Sequence, residues 1–300
     1  MRDLTGKVAF ITGGSSGIGL GIAKALTPHG VAMTITGTNA QRLSDAAAEL
    51  EALGAPVRTA CFDVTDRAAF ERAADTAEEE FGPVDILCNN AGRGFLGSIV
   101  ESTPEQWRWM WDGNVMGVIN GIQVFVPRMR ARAREAHIMA TASAAGLVSA
   151  ANGGIYTATK MAVVGIMESL RSEVAGDLIG VSVFCPHLVR TNIHEHTVRA
   201  LGPEGQAIAD AIRGFTAVGM APEEAGRYVV DGIRNNRLYV LSHQEIGGVL
   251  DERHAALRAA LTAALPDVDR VAAEAGTLSY AAYLEAASSG RSAPDQGPSP

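Results

Sequence analysis

Tyr156 and Lys160 lie four residues apart, so on a helix they share one face. An ammonium near a phenol favours the phenolate and lowers its pKa from about 10. That makes a proton carrier usable near neutrality. Ser143 precedes the tyrosine by 13 residues, across a stretch rich in Gly and Ala, which leaves room for its hydroxyl to fold back onto the oxygen that Tyr156 would protonate. Three groups then converge on one oxygen. A Tyr-x-x-x-Lys pair alone fits a solvated surface pair equally well, so its meaning depends on the elements that place it.

The apolar run Val8-Ala-Phe-Ile11 leads directly into Gly13-Gly-Ser15-Ser16-Gly17-Ile18-Gly19 and then into the helical pattern Leu20 to Leu26. Strand, glycine loop and helix together offer free backbone N–H groups and a helix dipole to a pyrophosphate. The following segments alternate: strand Val31 to Thr36, helix Ala40 to Leu53, strand Val57 to Phe62, helix Arg67 to Phe81, strand Val84 to Cys88. Strands spaced by helices of this length indicate βαβ units and a parallel sheet. Thr103-Pro104 reads as an N-cap and first helical residue, opening a helix to about Arg130. His137 to Ala142 is the fifth strand, Gly153 to Ala175 the helix bearing Tyr156, and Val181 to Cys185 the sixth strand.

Pro186 to Met220 has scattered Gly and Pro and two short helical possibilities, and reads as a mobile substrate loop or lid. Pro222 to Asn235 is another helix and Leu238 to Leu241 a short last strand. Val249 to Leu265 carries Leu250, Leu257, Leu261 and Leu265 on an amphipathic pattern, suited to docking on the domain or on a second subunit. The expected organisation is one α/β domain over 1–245, a helical extension over 246–287 and a disordered tail over 288–300 rich in Ser, Gly and Pro.

With 25 basic against 33 acidic residues the net charge is −8, which argues against nucleic acid as a partner. The basic cluster Arg128 to Arg134 is expected to complement a helix C-terminus. Cys61, Cys88 and Cys185 sit in strand-type runs without metal-ligand spacing and read as reduced, buried thiols. No apolar leader or membrane-length run is seen, so a cytoplasmic location without membrane attachment is the expectation.

Over about residues 4 to 245 the chain resembles the short-chain dehydrogenase/reductase family, in Thr12-Gly-x-x-x-Gly-x-Gly19, Asp63, Asn89-Asn90-Ala91-Gly92, Asn114, Ser143 and Tyr156-x-x-x-Lys160. The resemblance implies a Rossmann-type doubly wound parallel sheet of about seven strands and an NAD(P)-dependent oxidoreductase. It implies that Gly13, Ser15, Ser16, Gly17, Ile18 and Gly19 cradle the cofactor phosphates. Asp63 would accept from the adenine amino group beside the Val64 N–H, with an N-cap before Arg67 as the alternative reading, and Asn90, Ala91 and Gly92 would pass close to the ribose. Ser143, Tyr156 and Lys160 would carry the proton chemistry, with Tyr156 and Lys160 also touching the cofactor. Asn114 would bend its helix and hold a water linking Lys160 to solvent. Pro186, Val189 and Thr191 would meet the carboxamide.

Cofactor choice falls to Thr36-Gly37-Thr38-Asn39, where an NAD enzyme usually presents a carboxylate for the ribose 2′-OH. Here there are hydroxyls, an amide and Arg42 one turn later, and Thr38 is the contact residue, so the balance leans to NADP(H) over NAD(H). His187 replaces the family's usual glycine and either tolerates the local backbone or reaches into the pocket. His194-Glu195-His196 invites a metal reading, but without further ligands at a regular spacing none is assigned.

Arg93, Phe95, Leu147, Val148 and Ile193 are candidate pocket residues, mostly apolar. Together with the chain length, the long loop and the added helix, which look similar to the Cα-dehydrogenase subgroup, they suggest a bulky or aromatic secondary alcohol or ketone. The alternatives are a 3-oxoacyl thioester reductase, which would want a basic patch for a carrier protein, and a non-catalytic dinucleotide sensor. Kinship implies a homodimer or homotetramer.

Overall fold

In a computed structural model, residues 1–195, 197, 205–261, 267–274 and 283 are described. The expected tail 288–300, and part of the expected helical extension, lie outside them. Seven strands form one all-parallel sheet in the order β3-β2-β1-β4-β5-β6-β7. They are β1 (Val8–Ile11), β2 (Ala32–Gly37), β3 (Val57–Cys61), β4 (Ile86–Asn89), β5 (Ala136–Thr141), β6 (Ile179–Phe184) and β7 (Tyr239–Val240). The chain runs outward from β1 to β3, then returns to pair β4 with the other side of β1. This reversal makes a crevice at the carboxyl ends of β1 and β4, where doubly wound sheets bind ligands.

The helices that cross between strands are α1 (Gly17–Leu26), α2 (Ala40–Ala52), α3 (Arg67–Phe81), α4 (Pro104–Trp111), α5 (Gly117–Arg132) and α6 (Gly154–Glu173). Two apolar layers sandwich the sheet. Phe10, Phe70, Phe125 and Val163 lie in one, and Ile11, Ile22, Leu43 and Ile233 in the other. Central strands β1, β4 and β5 are buried residue for residue, whereas edge strand β3 alternates between half-buried and exposed. Cys61 ends that edge strand and is exposed, which corrects the expectation of three buried thiols. β3 is an edge strand whose residues are only partly covered.

The long helix from Thr103 is not continuous. α4 starts with a capping box, in which the Thr103 hydroxyl accepts from Gln106 N–H and the Gln106 side chain accepts from Thr103 N–H. A π-helical turn, Asp112–Met116, separates it from α5. The basic cluster at the C-terminal end of α5 puts Arg130 and Arg132 in its last turn, as expected, and is also an ion-pair network: Arg128 with Asp75 and Glu78, Arg130 with Asp177, and Arg134 with the buried Asp85.

Between Pro186 and Met220 the described residues include a regular helix, Gly205–Ala217, in line with the helical possibilities read there, and a parallel bridge from Val189 to Met220. Helix Pro222–Arg234 packs on α1. Helix Gly247–Ala259 buries no residue; Val249, Leu257 and the following Leu261 are exposed, Leu250 is half-buried, and Leu265 lies outside the described residues. Among the described residues no helix is long and apolar enough to cross a membrane.

His137 on β5 is fully buried. Its Nε2 lies 2.8 Å from Ser182 Oγ, which itself donates to Arg237 O at 2.5 Å, so Nε2 carries the proton. Its Nδ1 has no partner among the described residues. Burial, with the N-terminal ammonium and Arg171 adding repulsion, lowers its pKa to about 3. The unfolded chain therefore takes up this proton first, and stability falls as pH drops from 6.5 towards 3. About 2 kcal/mol is lost between pH 6.5 and pH 5. Thermal unfolding scans should show this acid loss shrinking in His137→Gln, and an unchanged slope would contradict the assignment.

Candidate active site

The carboxyl ends of β1, β4 and β5 are tied by one polar knot. Thr12 Oγ1 accepts from the N–H groups of Asn90 and Ala91 at 2.9 and 3.0 Å. The Asn90 amide donates to Thr12 O at 3.1 Å, and its Oδ1 accepts from Thr141 Oγ1 at 3.0 Å. The side chain of Asn90 is thus committed to holding strands together rather than to a ligand. Ala91 and Gly92 follow it along the wall of a cleft of about 590 Å³.

The glycine loop lines that cleft. Gly13 and Gly17 have φ of +64° and +53°, a region that L side chains rarely adopt. A Cβ on Gly19 would stand 2.2 Å from Gly13 O. With Ser15, Ser16 and Ile18 beside them and α1 beginning at Gly17, the loop offers a helix N-terminus and open backbone. This fits the pyrophosphate of a dinucleotide.

Further along, Asp63 Oδ1 accepts from Thr65 N–H and Oγ1 at 3.0 and 2.9 Å, and Oδ2 accepts from Arg93 Nη2 at 3.0 Å. These bonds hold its carboxyl below the ordinary value although burial opposes them. The N-cap of α3 is Asp66, which accepts from Ala69 N–H at 2.9 Å, so the capping alternative for Asp63 is met by another residue. Arg93 also donates to Trp109 O at 2.6 Å and lies over the Trp109 ring. Its guanidinium therefore belongs to the Asp63 region of the cleft.

Ser143, Tyr156 and Lys160 all line the same cleft. Lys160 is 3 % exposed. Its Nζ donates to Thr141 O at 2.9 Å and stands 5.7 Å from the Tyr156 ring centroid. Burial lowers this amine to about 8. Ser143 Oγ accepts from Ala145 N–H at 3.1 Å and lies near enough to the Tyr156 phenol to favour its ionised form. The phenol itself is shifted up, because burial outweighs the effect of Ser143. The expected lowering by Lys160 is not expressed in the protein alone, for burial penalises phenolate and ammonium together.

Asn114 lies within the π-helical turn. Its Oδ1 accepts from Arg93 N–H at 2.6 Å, and its Nδ2 donates to Arg93 O at 3.0 Å and Thr159 Oγ1 at 3.0 Å. It thereby joins the Gly92–Arg93 strap to α6, one residue before Lys160. A Cβ at Gly92 would lie 3.2 Å from Asn114 Oδ1 and 3.4 Å from Lys160 Nζ. Glycine gives the strap room beside the amide and the amine.

Thr38, Val64, Pro186, Val189 and Thr191 line the cleft as expected. The Val189 bridge uses Leu188 O and Arg190 N–H, not the Val189 amide. Of the candidate pocket residues, Arg93 and Ile193 line the cleft, and Val148 lines an adjoining cavity of about 210 Å³. Phe95 instead packs with Met110 and Ile155, and Leu147 packs against the main core. Exposed His187 borders both cavities and donates its backbone N–H to His243 Nδ1 at 3.2 Å.

His194 accepts from Arg213 Nε at 3.3 Å while Glu195 turns to Arg42, so these neighbours do not share a site; His196 lies outside the described residues. Sequence reasoning missed Trp109, Gly113, Asn192 and Thr216 as lining residues. Trp109 has a readable signal, five residues before Asn114 across the π turn.

A family model described as short chain dehydrogenase matches residues 7–201. Over 267 residues the chain is 34% identical to a C alpha-dehydrogenase from Sphingobium sp. strain SYK-6, covering 86% of this chain and 87% of that protein. It is 32% identical over 241 residues to a 1-deoxy-11-beta-hydroxypentalenate dehydrogenase from Streptomyces exfoliatus, covering 80% and 84%. A crystal structure of a short chain dehydrogenase/reductase from Burkholderia phymatum in complex with NAD matches with a TM-score of 0.82 at 34% identity, covering 89% of this chain and 99% of that one. With the sheet order, the glycine loop and the Ser143–Tyr156–Lys160 cluster already in place, these likenesses establish the chain as a member of the short-chain dehydrogenase/reductase family, oxidoreductases that bind NAD(P).

Proposed function

We propose that the protein interconverts a secondary alcohol and a ketone, with Tyr156 as the proton carrier and a bulky apolar or aromatic molecule as substrate. The observation that carries this reading is that Ser143, Tyr156 and Lys160 line the same cleft as the glycine loop. A bound dinucleotide supplies or accepts the hydride. Ser143 donates a hydrogen bond to the substrate oxygen, one that strengthens as charge develops there. Tyr156 gives that oxygen its proton in reduction and removes it in oxidation. Lys160 holds positive charge beside the phenol, and Asn114 fixes the strap and α6 so that amine and phenol keep their places.

The dinucleotide is NADP or NAD. The absence of a carboxylate at the end of β2, with Thr38 and Arg42 nearby, led the sequence reading towards NADP, yet Arg42 is ion-paired to Glu195, which weakens its part in that lean. The substrate reading is supported by Ile193 at the cleft, by the adjoining cavity with Val148, Ile246 and Val249 on its wall, and by the likeness to the C alpha-dehydrogenase. Assembly as a homodimer or homotetramer is supported by Trp111 and Met116, which leave apolar surface exposed along the α4–α5 rod.

In Tyr156→Phe, turnover should fall by about 10²–10⁴-fold while nucleotide affinity, measured by fluorescence titration, stays within about twofold. A variant that keeps most of its activity would refute the role. In a spectrophotometric panel with reduced cofactor, aryl ketones should give higher kcat/KM than short aliphatic ketones. Preference for a 3-oxoacyl thioester over every aryl ketone would refute the substrate class. Light scattering at micromolar concentration should report a dimer or tetramer, and a monomer would contradict the assembly.

A further inference from the structure

Arg42 lines the cleft beside Thr38 and Asn39, at the end of β2 where this fold reads the adenosine ribose. The Asn39 side chain is already used: it caps α2 by accepting from Arg42 N–H at 3.0 Å. The guanidinium of Arg42 is paired with Glu195, 153 residues further along the chain. Glu195 lies in the helical stretch 193–195, and its N–H donates to Asn192 O at 3.0 Å. Asn192 and Ile193 beside it line the cleft. His194 is buried and bonded by Arg213 of helix Gly205–Ala217, which anchors the segment that delivers the carboxylate.

We infer that Glu195 is a specificity-determining residue, which by neutralising Arg42 makes the cleft favour a dinucleotide with a free ribose 2′-hydroxyl over one with a 2′-phosphate. This rests on the dinucleotide reading of the cleft. The acidic residue that β2 lacks is supplied from the substrate loop instead. A 2′-phosphate brings about −1.5 to −2 charge. It meets a guanidinium whose charge is already balanced and a carboxylate that repels it.

Arg42 and Glu195 side chains are 40% and 38% exposed, so their pair adds little to stability. Its effect is on selectivity: contact distances lie well inside the roughly 8 Å screening length at physiological salt. Freed of Glu195, the Arg42 fork suits a phosphate.

Calorimetric titration of the full chain with adenosine 5′-monophosphate and adenosine 2′,5′-bisphosphate tests this without turnover. Glu195→Gln should tighten binding of the 2′,5′-bisphosphate about tenfold and leave that of the monophosphate within about twofold. Adding Arg42→Ala to Glu195→Gln should abolish the gain. Both nucleotides binding with a ratio unmoved by Glu195→Gln, or a gain that survives loss of Arg42, would overturn the inference alone. Failure of the unaltered chain to bind either nucleotide would overturn the dinucleotide reading and this inference with it.

Discussion

A buried amine is the constraint around which the rest is arranged. Lys160 Nζ has one protein hydrogen bond among those described, to the Thr141 carbonyl, and no carboxylate pairs with it among the described residues. Burying an ammonium in this way costs stability, visible in the shift of Lys160 down to about 8. A core built for stability alone would place an apolar residue there. Thr141 is in turn held by Asn90, so the amine is fixed through the same knot that closes the ends of β1, β4 and β5.

The π-helical turn is the second device. An uninterrupted helix from Pro104 to Arg132 would carry Asn114 on a different bearing, since the wider turn resets the register of everything after it. With the turn in place, Asn114 bonds both backbone groups of Arg93 and the Thr159 hydroxyl. Gly113 serves the same arrangement: a Cβ there would lie 2.5 Å from Arg93 Cδ and Nε. The helix thus gives up regular bonding where two walls of the cleft must be joined.

Much of this was legible in the sequence because it is local. The spacing of Tyr156 and Lys160 needs only a helix, and the glycine loop needs only a strand before it and a helix after it. Alternating strand and helix patterns imply the parallel sheet. What was not legible depends on neighbours far along the chain. Cys61 reads as buried until β3 proves to be an edge strand, and Phe95 reads as pocket lining until Met110 and Ile155 cover it. The arginines at the end of α5 read only as charges for the helix terminus until Asp75, Glu78, Asp85 and Asp177 arrive from other elements. Arg42 looks available until Glu195 reaches it. Residue type told which groups can pair, but only the fold told which do.

In the protein alone the Tyr156 phenol is shifted up, so the proposed proton transfer requires that the positive charge of the Lys160 amine, together with an oxidised nicotinamide, outweigh burial. Ultraviolet difference titration of tyrosinate, with saturating oxidised cofactor and with Tyr156→Phe subtracted, reads that balance directly. The account predicts that Tyr156 ionises below its ordinary value of about 10 in the complex, and that Lys160→Met moves the ionisation upward. Ionisation at or above that value in the complex, or a midpoint indifferent to Lys160, would contradict it.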